Sequence, residues 1–371
     1  CGLFTEIWKV EKPWIFNKKH LIIWGGNSLN AIRIVGEIKK LFDNSIDIPF
    51  SYIFSYPTVE KLSNAIYEIL NGCLKAELTS KELEMEVKLD IDLKGKSVPI
   101  KKEVCLLTGA TGNLGNYLLK EILRQTNMEI YCLIRAKSME VAQDRLEGVL
   151  NKINMSLYEE ARVHIVLGDL GEPNLGMDMD VYEKLAEKVD CIYHNGAKVH
   201  FLSDYYELKN INVNGTKEII RFAGYKKIKA IFYISTISIF SKFRTNDKII
   251  MENDDISDPG ILPIGYTQSK WVAEGLIWKA KECGIPVMVY RLGHVVGDSE
   301  TGVCNDGDFI FRIIKSCLIL GVYPDIKGSI APIAIDDVAK IVVGISQIED
   351  QYGKTYHVIN TKEISFQDAV D

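Results

Sequence analysis

The sequence predicts an α/β fold in which a doubly wound parallel sheet, with helices on both faces, follows a small helical bundle. From Val104 onward, short apolar runs alternate with longer stretches of helical periodicity, which is typical of βαβ units. The first run leads through a glycine-rich loop, TGATGNLG, into an amphipathic stretch. The six runs predicted as strands are VCLLTGA, IYCLIRA, VHIVLGD, CIYHNGA, AIFYIST and VMVYRLG.

Composition limits the classes of protein to which this chain can belong. Its 371 residues are enough for two or three domains, and the 47% hydrophobic content favours a packed core over disorder. The net charge of -6 gives no electrostatic reason to expect nucleic acid or an anionic membrane as a partner. The eight cysteines form no CxxC pair or metal-spaced Cys/His cluster, so we expect buried thiols, no metal and a reducing cytoplasm. No secretory signal or membrane-spanning run is recognisable, and the first residue, Cys1, suggests a piece of a longer polypeptide.

Three segments differ in composition. Residues 1–72 are predicted to form a small helical domain. Residues 73–101 are rich in Lys and Glu without a long apolar period, so we expect a linker that is helical at most in part. Residues 102–371 contain the alternating pattern and are predicted to form the α/β domain.

The first segment contains a serine at the predicted start of a helix. Ser28 follows a glycine pair, Gly25 and Gly26, that permits a tight turn, and it stands at the N-cap position, which serine favours. A second helix is predicted to begin at Thr58, after Pro57. On spacing alone, a serine that only caps the helix is the more frequent explanation. The apolar positions that would share one face of the first helix are Leu29, Ile32, Val35, Ile38, Leu41 and Phe42.

The segment as a whole resembles the carrier domains of nonribosomal peptide synthetases. The resemblance rests on FTEIW, GGNSL, AIRIV and IPFSYIFSYPTVEKL, and it covers the segment from end to end. In that family the serine of the GGxSL motif carries a 4′-phosphopantetheine arm, which implies attachment at Ser28 by a phosphopantetheinyl transferase. Trp24 replaces the usual leucine, and Asn27 replaces the usual Asp or His.

The glycine-rich loop has the spacing and the context of a dinucleotide site. Gly109, Gly112 and Gly115 follow a predicted strand and open a predicted helix, whose N-terminus would face a pyrophosphate. Gly109 permits the tight turn, Gly112 lets the backbone approach the phosphates, and Gly115 lets the helix pack closely. A plain strand-to-helix turn is the alternative explanation. With this motif the α/β domain is predicted to be a Rossmann domain.

Residues at the ends of the next strands are expected to complete the cofactor site. Arg135 ends the second predicted strand, where an arginine accommodates the 2′-phosphate of NADP(H); a solvated surface arginine is the alternative. Lys137 and Arg145 would add positive charge, and Asp169 would contact the adenine. The predicted cofactor-binding residues are Gly109, Thr111, Gly112, Asn113, Leu114, Gly115, Arg135, Arg145, Asp169, Leu170, Asn195, Ala197, Tyr266 and Lys270.

The pattern YxxxK occurs four times, so position must decide which pair is functional. Only Tyr266 lies between the fifth and sixth predicted strands at the start of a helical run, and Thr236 ends the fifth strand in YIST. We therefore predict Thr236, Tyr266 and Lys270 as the catalytic residues. The other three pairs, predicted to be ordinary helix or loop residues, are Tyr205/Lys209, Tyr225/Lys229 and Tyr323/Lys327.

These residue types suit hydride transfer to a carbonyl. Negative charge develops on the carbonyl oxygen, and a tyrosine proton donor together with a threonine hydroxyl can stabilise it. The ordinary pKa of tyrosine, about 10, is high for acid–base work at neutral pH. We expect the ammonium of Lys270, on the same helix face as Tyr266, to lower that pKa. Lys270 would also hold the nicotinamide ribose.

The α/β segment resembles an extended short-chain dehydrogenase/reductase. Within that superfamily it is most similar to the thioester reductase domains of peptide synthetases, carboxylic acid reductases and aminoadipate reductases. The family usually continues beyond FQDAVD, where this chain stops, so we expect the substrate side of the domain to be incomplete. The matching motifs over residues 104–371 are LLTGATGNLG, LIRA, GDL, HNGAKVHF, YISTIS, GYTQSKWVAE and YRLGHVVGDSETG.

The two resemblances together imply an NADPH-dependent reductive release. An acyl or peptidyl thioester on the chain's own carrier would be reduced to a thiohemiacetal, which collapses to an aldehyde, and a second round would give an alcohol. The other implied partners are an upstream adenylation domain or synthetase modules. Two alternatives stay open: another extended reductase chemistry, such as acyl-CoA reduction or sugar epimerisation, and a non-catalytic carrier and docking module with a degenerate Rossmann scaffold.

Overall fold

A seven-stranded parallel sheet with helices on both faces forms the centre of the computed structural model. The structure describes residues 35–40, 42, 48, 52, 56, 58–70, 78–91, 95, 102–157, 161–201, 203–240, 249–260, 262, 264–305, 307–321, 329–365 and 367–368.

Helices and strands are numbered in chain order. The helices are a short one over residues 35–40, α1 (Val59–Leu70), α2 (Ser80–Glu86), α3 (Asn113–Gln125), α4 (Met139–Leu150), α5 (Met179–Lys188), α6 (Tyr205–Lys209), α7 (Gly215–Ala223), α8 (Gly265–Glu282), α9 (Phe309–Leu320) and α10 (Ile335–Ser346), with 3₁₀ turns at Asn151–Ile153, Pro173–Gly176 and Glu349–Gln351 and a π turn at Asn210–Asn214. The strands are β1 (Val104–Thr108), β2 (Glu129–Ile134), β3 (Val163–Leu167), β4 (Cys191–His194), β5 (Ala230–Thr236), β6 (Val287–Leu292), β7 (His294–Val296), β8 (Ser329–Ile330), β9 (Pro332–Ala334), β10 (Thr355–Val358) and β11 (Ile364–Ser365).

The main sheet has the strand order β10-β6-β5-β4-β1-β2-β3, and every neighbouring pair is parallel. The chain moves outward from β1 through β2 to β3 and then crosses to β4 on the other side of β1, so the winding reverses between β1 and β4. Ligands bind at the carboxyl ends of the strands beside such a reversal. The predicted doubly wound α/β fold is confirmed, and β10 adds an edge strand to the six that the sequence predicts.

Alternate residues of the central strands fill two cores, one on each face of the sheet. Leu106, Ile192 and Ile231 face one core, to which α5, α7 and α8 contribute. Leu107 and Tyr193 face the other, to which α3, α4 and α10 contribute. All five side chains are fully buried. Burial on both faces explains why these strands are continuous apolar runs in the sequence.

Within the amino-terminal segment, α1 is the predicted second helix. Thr58 caps it, because its hydroxyl accepts a hydrogen bond from the Lys61 amide at 3.2 Å. Val59 and Leu62 are buried on one side of the helix. Ser28 and the glycine turn before it lie outside the described residues, so the attachment site stays a prediction.

In the described part of the charged segment after α1, residues 78–91 and 95, helix α2 packs on the α/β domain. A capping box begins it: the Thr79 hydroxyl accepts from the Glu82 amide, and the Glu82 carboxylate accepts from the Thr79 amide. Leu83 is fully buried in the core that α8 helps to form. Val87 lies so close to Gly275 of α8 that a Cβ on Gly275 would be 2.8 Å from it. The segment is partly helical, and residues 78–91 are attached to the α/β domain; the predicted domain boundaries stay a prediction.

Three further properties hold over the ranges given above. No helix combines the length and the apolar character that crossing a bilayer requires. No group of three or more His, Cys, Asp or Glu side chains within the same ranges is arranged to hold a metal ion. No disulfide joins the cysteines in these ranges, of which Cys105, Cys132, Cys191 and Cys317 are buried.

Candidate cofactor site and active site

The glycine turn after β1 forms a cradle at the point where the winding reverses. Gly109 has a φ of +73°, and a Cβ there would lie 2.9 Å from the Gly196 Cα. Both the conformation and the space therefore require glycine. A Cβ on Gly115, in the first turn of α3, would overlap the Gly109 carbonyl oxygen. Without side chains at these positions, the start of α3 packs directly on the turn.

The start of α3 is open to solvent and suited to an anion. Gly112 is the N-cap, and no side chain caps the helix, so the first amides lack partners within the helix. Gly112 and Asn113 are exposed, while Thr111 and Leu114 are half-buried. Amides at a helix start beside a glycine cradle fit the pyrophosphate of a dinucleotide. The structure thus brings the six predicted residues of the loop together in an arrangement that fits the cofactor.

The charged residues predicted to select the cofactor lie at the ends of β2 and β3. The Arg135 guanidinium lies 3.8 Å from the Asp169 carboxylate, and two thirds of the Arg135 side chain is exposed. Arg145 of α4 donates a hydrogen bond to the Arg135 backbone carbonyl, and Lys137 is exposed nearby in sequence. An exposed ion pair of this kind contributes little to stability. An anionic ligand can therefore replace the Asp169 carboxylate as the partner of the Arg135 guanidinium.

The segment after β4 lines the other side of the turn. The Asn195 side chain donates to the Gly109 carbonyl at 3.3 Å. Leu170 lies against Gly196, where a Cβ would be 2.6 Å from the Leu170 side chain. Ala197 follows and is half-buried. Asn195, Ala197 and Leu170 are thus brought to the same end of the sheet as the glycine turn.

The predicted catalytic residues lie on β5 and α8, two elements that contact each other. Thr236 is the last residue of β5, and Tyr266 lies in the first turn of α8. The Lys270 ammonium donates to the Ile234 carbonyl at 2.6 Å and lies 4.3 Å from the Tyr233 ring centroid. Both contacts are to β5, so Lys270 joins α8 to the strand that carries Thr236.

The other YxxxK pairs have ordinary structural surroundings where the structure describes them. Tyr205 is buried at the start of α6, and Lys209 forms an ion pair with Glu86 at 2.8 Å. Lys229 is buried and donates to the Tyr225 carbonyl at 2.7 Å. The pair Tyr323/Lys327 lies outside the described residues.

Burial dominates the titration of the tyrosine and the lysine. It raises the pKa of Tyr266 to about 12 and lowers the pKa of Lys270 to about 7, because a buried site disfavours whichever form is charged. The Glu274 carboxylate opposes the second shift in part. The pKa of Tyr266 thus rises, whereas a lowering by Lys270 was expected; Lys270 is not among the causes of this shift, so its own effect stays a prediction.

A partly exposed aromatic side chain borders Tyr266. The Phe201 ring packs edge-on against the Tyr266 ring, with the centroids 5.5 Å apart. Phe201 and Val199 are 47% and 58% exposed. The Thr236 hydroxyl lies 3.2 Å from that of Ser238. An apolar group of a substrate has a surface to contact next to the tyrosine.

A buried ion pair near the end of β5 was not predicted from the sequence. The Arg291 guanidinium donates to the Glu274 carboxylate at 2.7 and 3.0 Å, and both side chains are buried. The other Glu274 oxygen accepts from the Ser235 hydroxyl at 2.5 Å. Because Ser235 precedes Thr236, this cluster fixes the end of β5 against α8. The signal in the sequence is an arginine inside the apolar run VMVYRLG.

Fold and site together define a class: a nucleotide-binding Rossmann reductase of the short-chain dehydrogenase type, with a tyrosine and a lysine one helical turn apart on α8 and a threonine at the end of β5. The chain belongs to the NAD-binding family described as male sterility protein, which matches residues 107–342. The phosphopantetheine attachment site family matches residues 19–66. A nicotinamide nucleotide and a phosphopantetheine arm are therefore the two cofactors of this chain.

Known relatives combine the same two domains. The chain is 36% identical over 357 residues to a linear gramicidin synthase protein of Brevibacillus parabrevis, covering 93% of this chain and 7% of that protein. It is 31% identical to L-2-aminoadipate reductase of Schizosaccharomyces pombe, covering 92% of this chain and 26% of that protein. The chain thus spans about a quarter or less of these relatives.

Solved structures agree with this assignment. The terminal R domain of the myxalamid PKS-NRPS pathway is 36% identical and matches with a TM-score of 0.74 over 78% of this chain and 75% of that one. A thiolation-reductase di-domain from an archaeal nonribosomal peptide synthetase, 24% identical, shares the fold with a TM-score of 0.67 over 100% of this chain and 79% of that one. The predicted membership, a peptide synthetase carrier domain fused to a reductase domain, is confirmed.

Proposed function

We propose that the chain holds an acyl or peptidyl thioester on Ser28 and reduces it with NADPH, releasing an aldehyde. The observation that carries the proposal is the presence, in one chain, of a matched phosphopantetheine attachment segment and a matched reductase domain, whose helix α8, with Tyr266 and Lys270, is joined by Lys270 to the strand that ends at Thr236. A pantetheine arm gives a thioester reductase its substrate and has no use in a sugar epimerase.

The predicted cofactor-binding residues would contact each part of the cofactor. The turn from Gly109 to Gly115 would hold the pyrophosphate, and Arg135, supported by Arg145, would take the 2′-phosphate. Lys270 would hold the nicotinamide ribose. The remaining predicted contacts, to the adenine and the nicotinamide side, are Asp169, Leu170, Asn195 and Ala197. When bound, NADPH supplies the hydride.

The protein's part in the reaction is to orient the carbonyl and to provide a proton. The thioester carbonyl oxygen would accept hydrogen bonds from the Thr236 and Tyr266 hydroxyls. As the carbonyl carbon gains the hydride, the Tyr266 hydroxyl gives its proton to the oxygen, which yields a thiohemiacetal. The raised pKa of Tyr266 keeps this donor protonated at neutral pH. Collapse then breaks the carbon–sulfur bond, the sulfur takes up a proton, and the thiohemiacetal hydroxyl loses one to give the aldehyde.

The carrier implies partners that act before the reduction. A phosphopantetheinyl transferase would modify Ser28, and upstream synthetase modules, including an adenylation domain, would load the acyl or peptidyl group. The free thiols at Cys105, Cys132 and Cys191 support a reducing cytoplasm as the setting.

A comparison of three substrates tests this function against its alternatives. The protein is modified with CoA and a broad phosphopantetheinyl transferase, which should add one pantetheine mass to the wild type and none to Ser28→Ala. NADPH absorbance is then followed with octanoyl groups on the carrier and with octanoyl-CoA, and a UDP-sugar is assayed by chromatographic separation of its epimers, because epimerisation consumes no NADPH overall. We expect the fastest loss of NADPH with the carrier-bound octanoyl group. Equal rates for Ser28→Ala and wild type on octanoyl-CoA, with no gain from the loaded carrier, would favour an acyl-CoA reductase. Absence of turnover with every substrate would favour a docking module.

A further inference from the structure

A line of buried hydrogen bonds begins at the residue before the glycine turn. The Thr108 hydroxyl lies 3.0 Å from Nδ1 of His194, and His194 Nε2 lies 3.1 Å from the Thr216 hydroxyl. The Thr216 hydroxyl donates to the Asn212 carbonyl at 2.6 Å. All four side chains are 2% exposed or less. These residues lie on β1, β4, α7 and the turn before α7, so the line crosses the domain beneath the cofactor site.

The same line continues to the catalytic helix. The Asn212 side-chain amide donates to the Ser269 hydroxyl at 3.0 Å, and Ser269 donates to the Tyr266 carbonyl at 2.8 Å. Asn212 also bonds both the amide and the carbonyl of Lys198, at 2.7 and 3.0 Å. The network therefore ends on the first turn of α8 and holds the segment that follows β4.

Neighbouring bonds fix the direction in which each proton of the network points. The Gly196 amide donates to the Thr108 oxygen at 2.8 Å, so the Thr108 hydroxyl proton can go to Nδ1 of His194. The Thr216 proton goes to a carbonyl, so Thr216 accepts from Nε2–H. A neutral imidazole satisfies every one of these bonds. With a second ring proton on Nδ1, either that proton or the Thr108 hydroxyl proton would lack an acceptor in the network. Burial, with a smaller effect of the Lys270 charge, lowers the pKa of His194 to about 3, so the ring stays neutral at physiological pH.

We propose that His194 is a positioning residue, which holds the glycine turn in register with α8 and so aligns the nicotinamide end of the cofactor with Tyr266. The assignment rests on the proposed function, because it concerns the relative placement of the groups that carry out the reduction. His194 itself reaches neither the thioester nor the proton that is transferred.

Two substitutions at His194 separate a positioning role from simple core packing. His194→Gln keeps a neutral acceptor and a neutral donor, so it can bond both threonines. His194→Phe keeps a ring but leaves the Thr108 and Thr216 hydroxyls without partners. We measure the NADPH dissociation constant by fluorescence, kcat with carrier-bound octanoyl thioester, and the melting temperature. Loss of a buried hydrogen bond should weaken NADPH binding about fivefold to tenfold in His194→Phe and lower kcat at least as much, whereas His194→Gln should stay within about threefold of wild type.

A second pair of variants decides the question if His194→Phe does not fold. Thr216→Val removes the hydroxyl without changing the shape of the side chain, and Thr216→Ser restores it. Thr216→Val should reproduce the losses expected for His194→Phe, and Thr216→Ser should recover most of them. The matched control is His164→Phe on the edge strand β3, where the ring packs at a tilt against Tyr131, with the centroids 4.9 Å apart. It should leave NADPH affinity and kcat unchanged.

Distinct results would overturn the inference and the proposed function. If His194→Gln is as impaired as a folded His194→Phe, or if Thr216→Val changes only the melting temperature, His194 is a packing residue and the inference is wrong. If the wild type binds NADPH but reduces no thioester, the proposed function fails. The NADPH dissociation constants of the variants still decide in that case whether His194 aligns the turn.

Discussion

Lys270 should make the free energy of unfolding of this protein rise with pH. Substituting Lys270 should remove its contribution to that rise. The ammonium is 5% exposed, and burial lowers its pKa from 10.5 to about 7. Between these two values the unfolded chain binds the Lys270 proton and the folded chain does not. The free energy of unfolding therefore increases with pH by up to about 1.4 kcal/mol per pH unit. Below pH 7 both states bind the proton, and the burial cost is present in full.

The substitution Lys270→Met removes the titrating amine from both the folded and the unfolded chain. We expect the difference in unfolding free energy, wild type minus Lys270→Met, to grow by about 2.5 kcal/mol between pH 7.5 and 9.5. Other groups that titrate in this range, such as the buried Lys229, contribute equally to both proteins and cancel. Urea unfolding at several pH values, analysed by linear extrapolation, provides the measurement.

The matched control is Lys279→Met on the same helix. Lys279 is half exposed and lies 2.9 Å from Glu282, so its removal should shift stability by a small amount that does not depend on pH over this range. If the free energies of unfolding of wild type and Lys270→Met change with pH in parallel, as those of wild type and Lys279→Met should, Lys270 keeps its charge in the folded protein. The account of its burial would then be refuted.

Three further substitutions test separate parts of the site. Arg135→Ala removes a charge-assisted phosphate contact and should weaken NADPH binding about ten- to a hundredfold while barely changing NADH binding; equal losses in fluorescence titrations would remove Arg135 from cofactor selection. Gly115→Ala places a methyl group on the glycine turn and should cost about 1–3 kcal/mol of stability together with NADPH affinity, and wild-type values for both would contradict the tight packing of α3. Glu274→Gln leaves the Arg291 charge buried without a counter-charge and should destabilise the fold by about 3–5 kcal/mol, whereas Glu282→Gln, exposed on the same helix, should have little effect on urea unfolding.

Local patterns were sufficient to predict the sheet and the cofactor turn. The central strands are buried on both faces, so each is a continuous apolar run, and the close contacts at Gly112 and Gly115 are to Gly109 and Ala110 of the same turn. The edge strand β10 is different. Of its four residues only Val358 is buried, and the strand exists because it pairs with β6. A short half-exposed run gives no period that distinguishes it from a loop.

The sequence alone did not predict properties that depend on contacts between residues far apart in the chain. Leu83 lies in the charged segment before the α/β domain. It is buried because it packs in a core that the distant helix α8 helps to form. The pKa of Tyr266 rises because the site is buried, and no local sequence pattern reveals that burial. His194 and Arg291 stand as polar residues within apolar runs. Such residues are a sequence signal for buried polar networks, although their partners cannot be identified in advance.

Reductive release by the loaded protein is the most direct test of the proposed function. The chain is given an octanoyl-phosphopantetheine arm on Ser28 and mixed with NADPH, and the loss of NADPH and the formation of trapped aldehyde are measured in a single turnover. We expect wild type and Tyr205→Phe to form aldehyde at the same rate. Tyr266→Phe should be slower by a factor of about 10² to 10⁴ with NADPH affinity little changed, because its hydroxyl acts mainly in the transition state. A wild type that carries the octanoyl arm and binds NADPH but forms no aldehyde, or a Tyr266→Phe variant that forms it at the wild-type rate, would contradict the account.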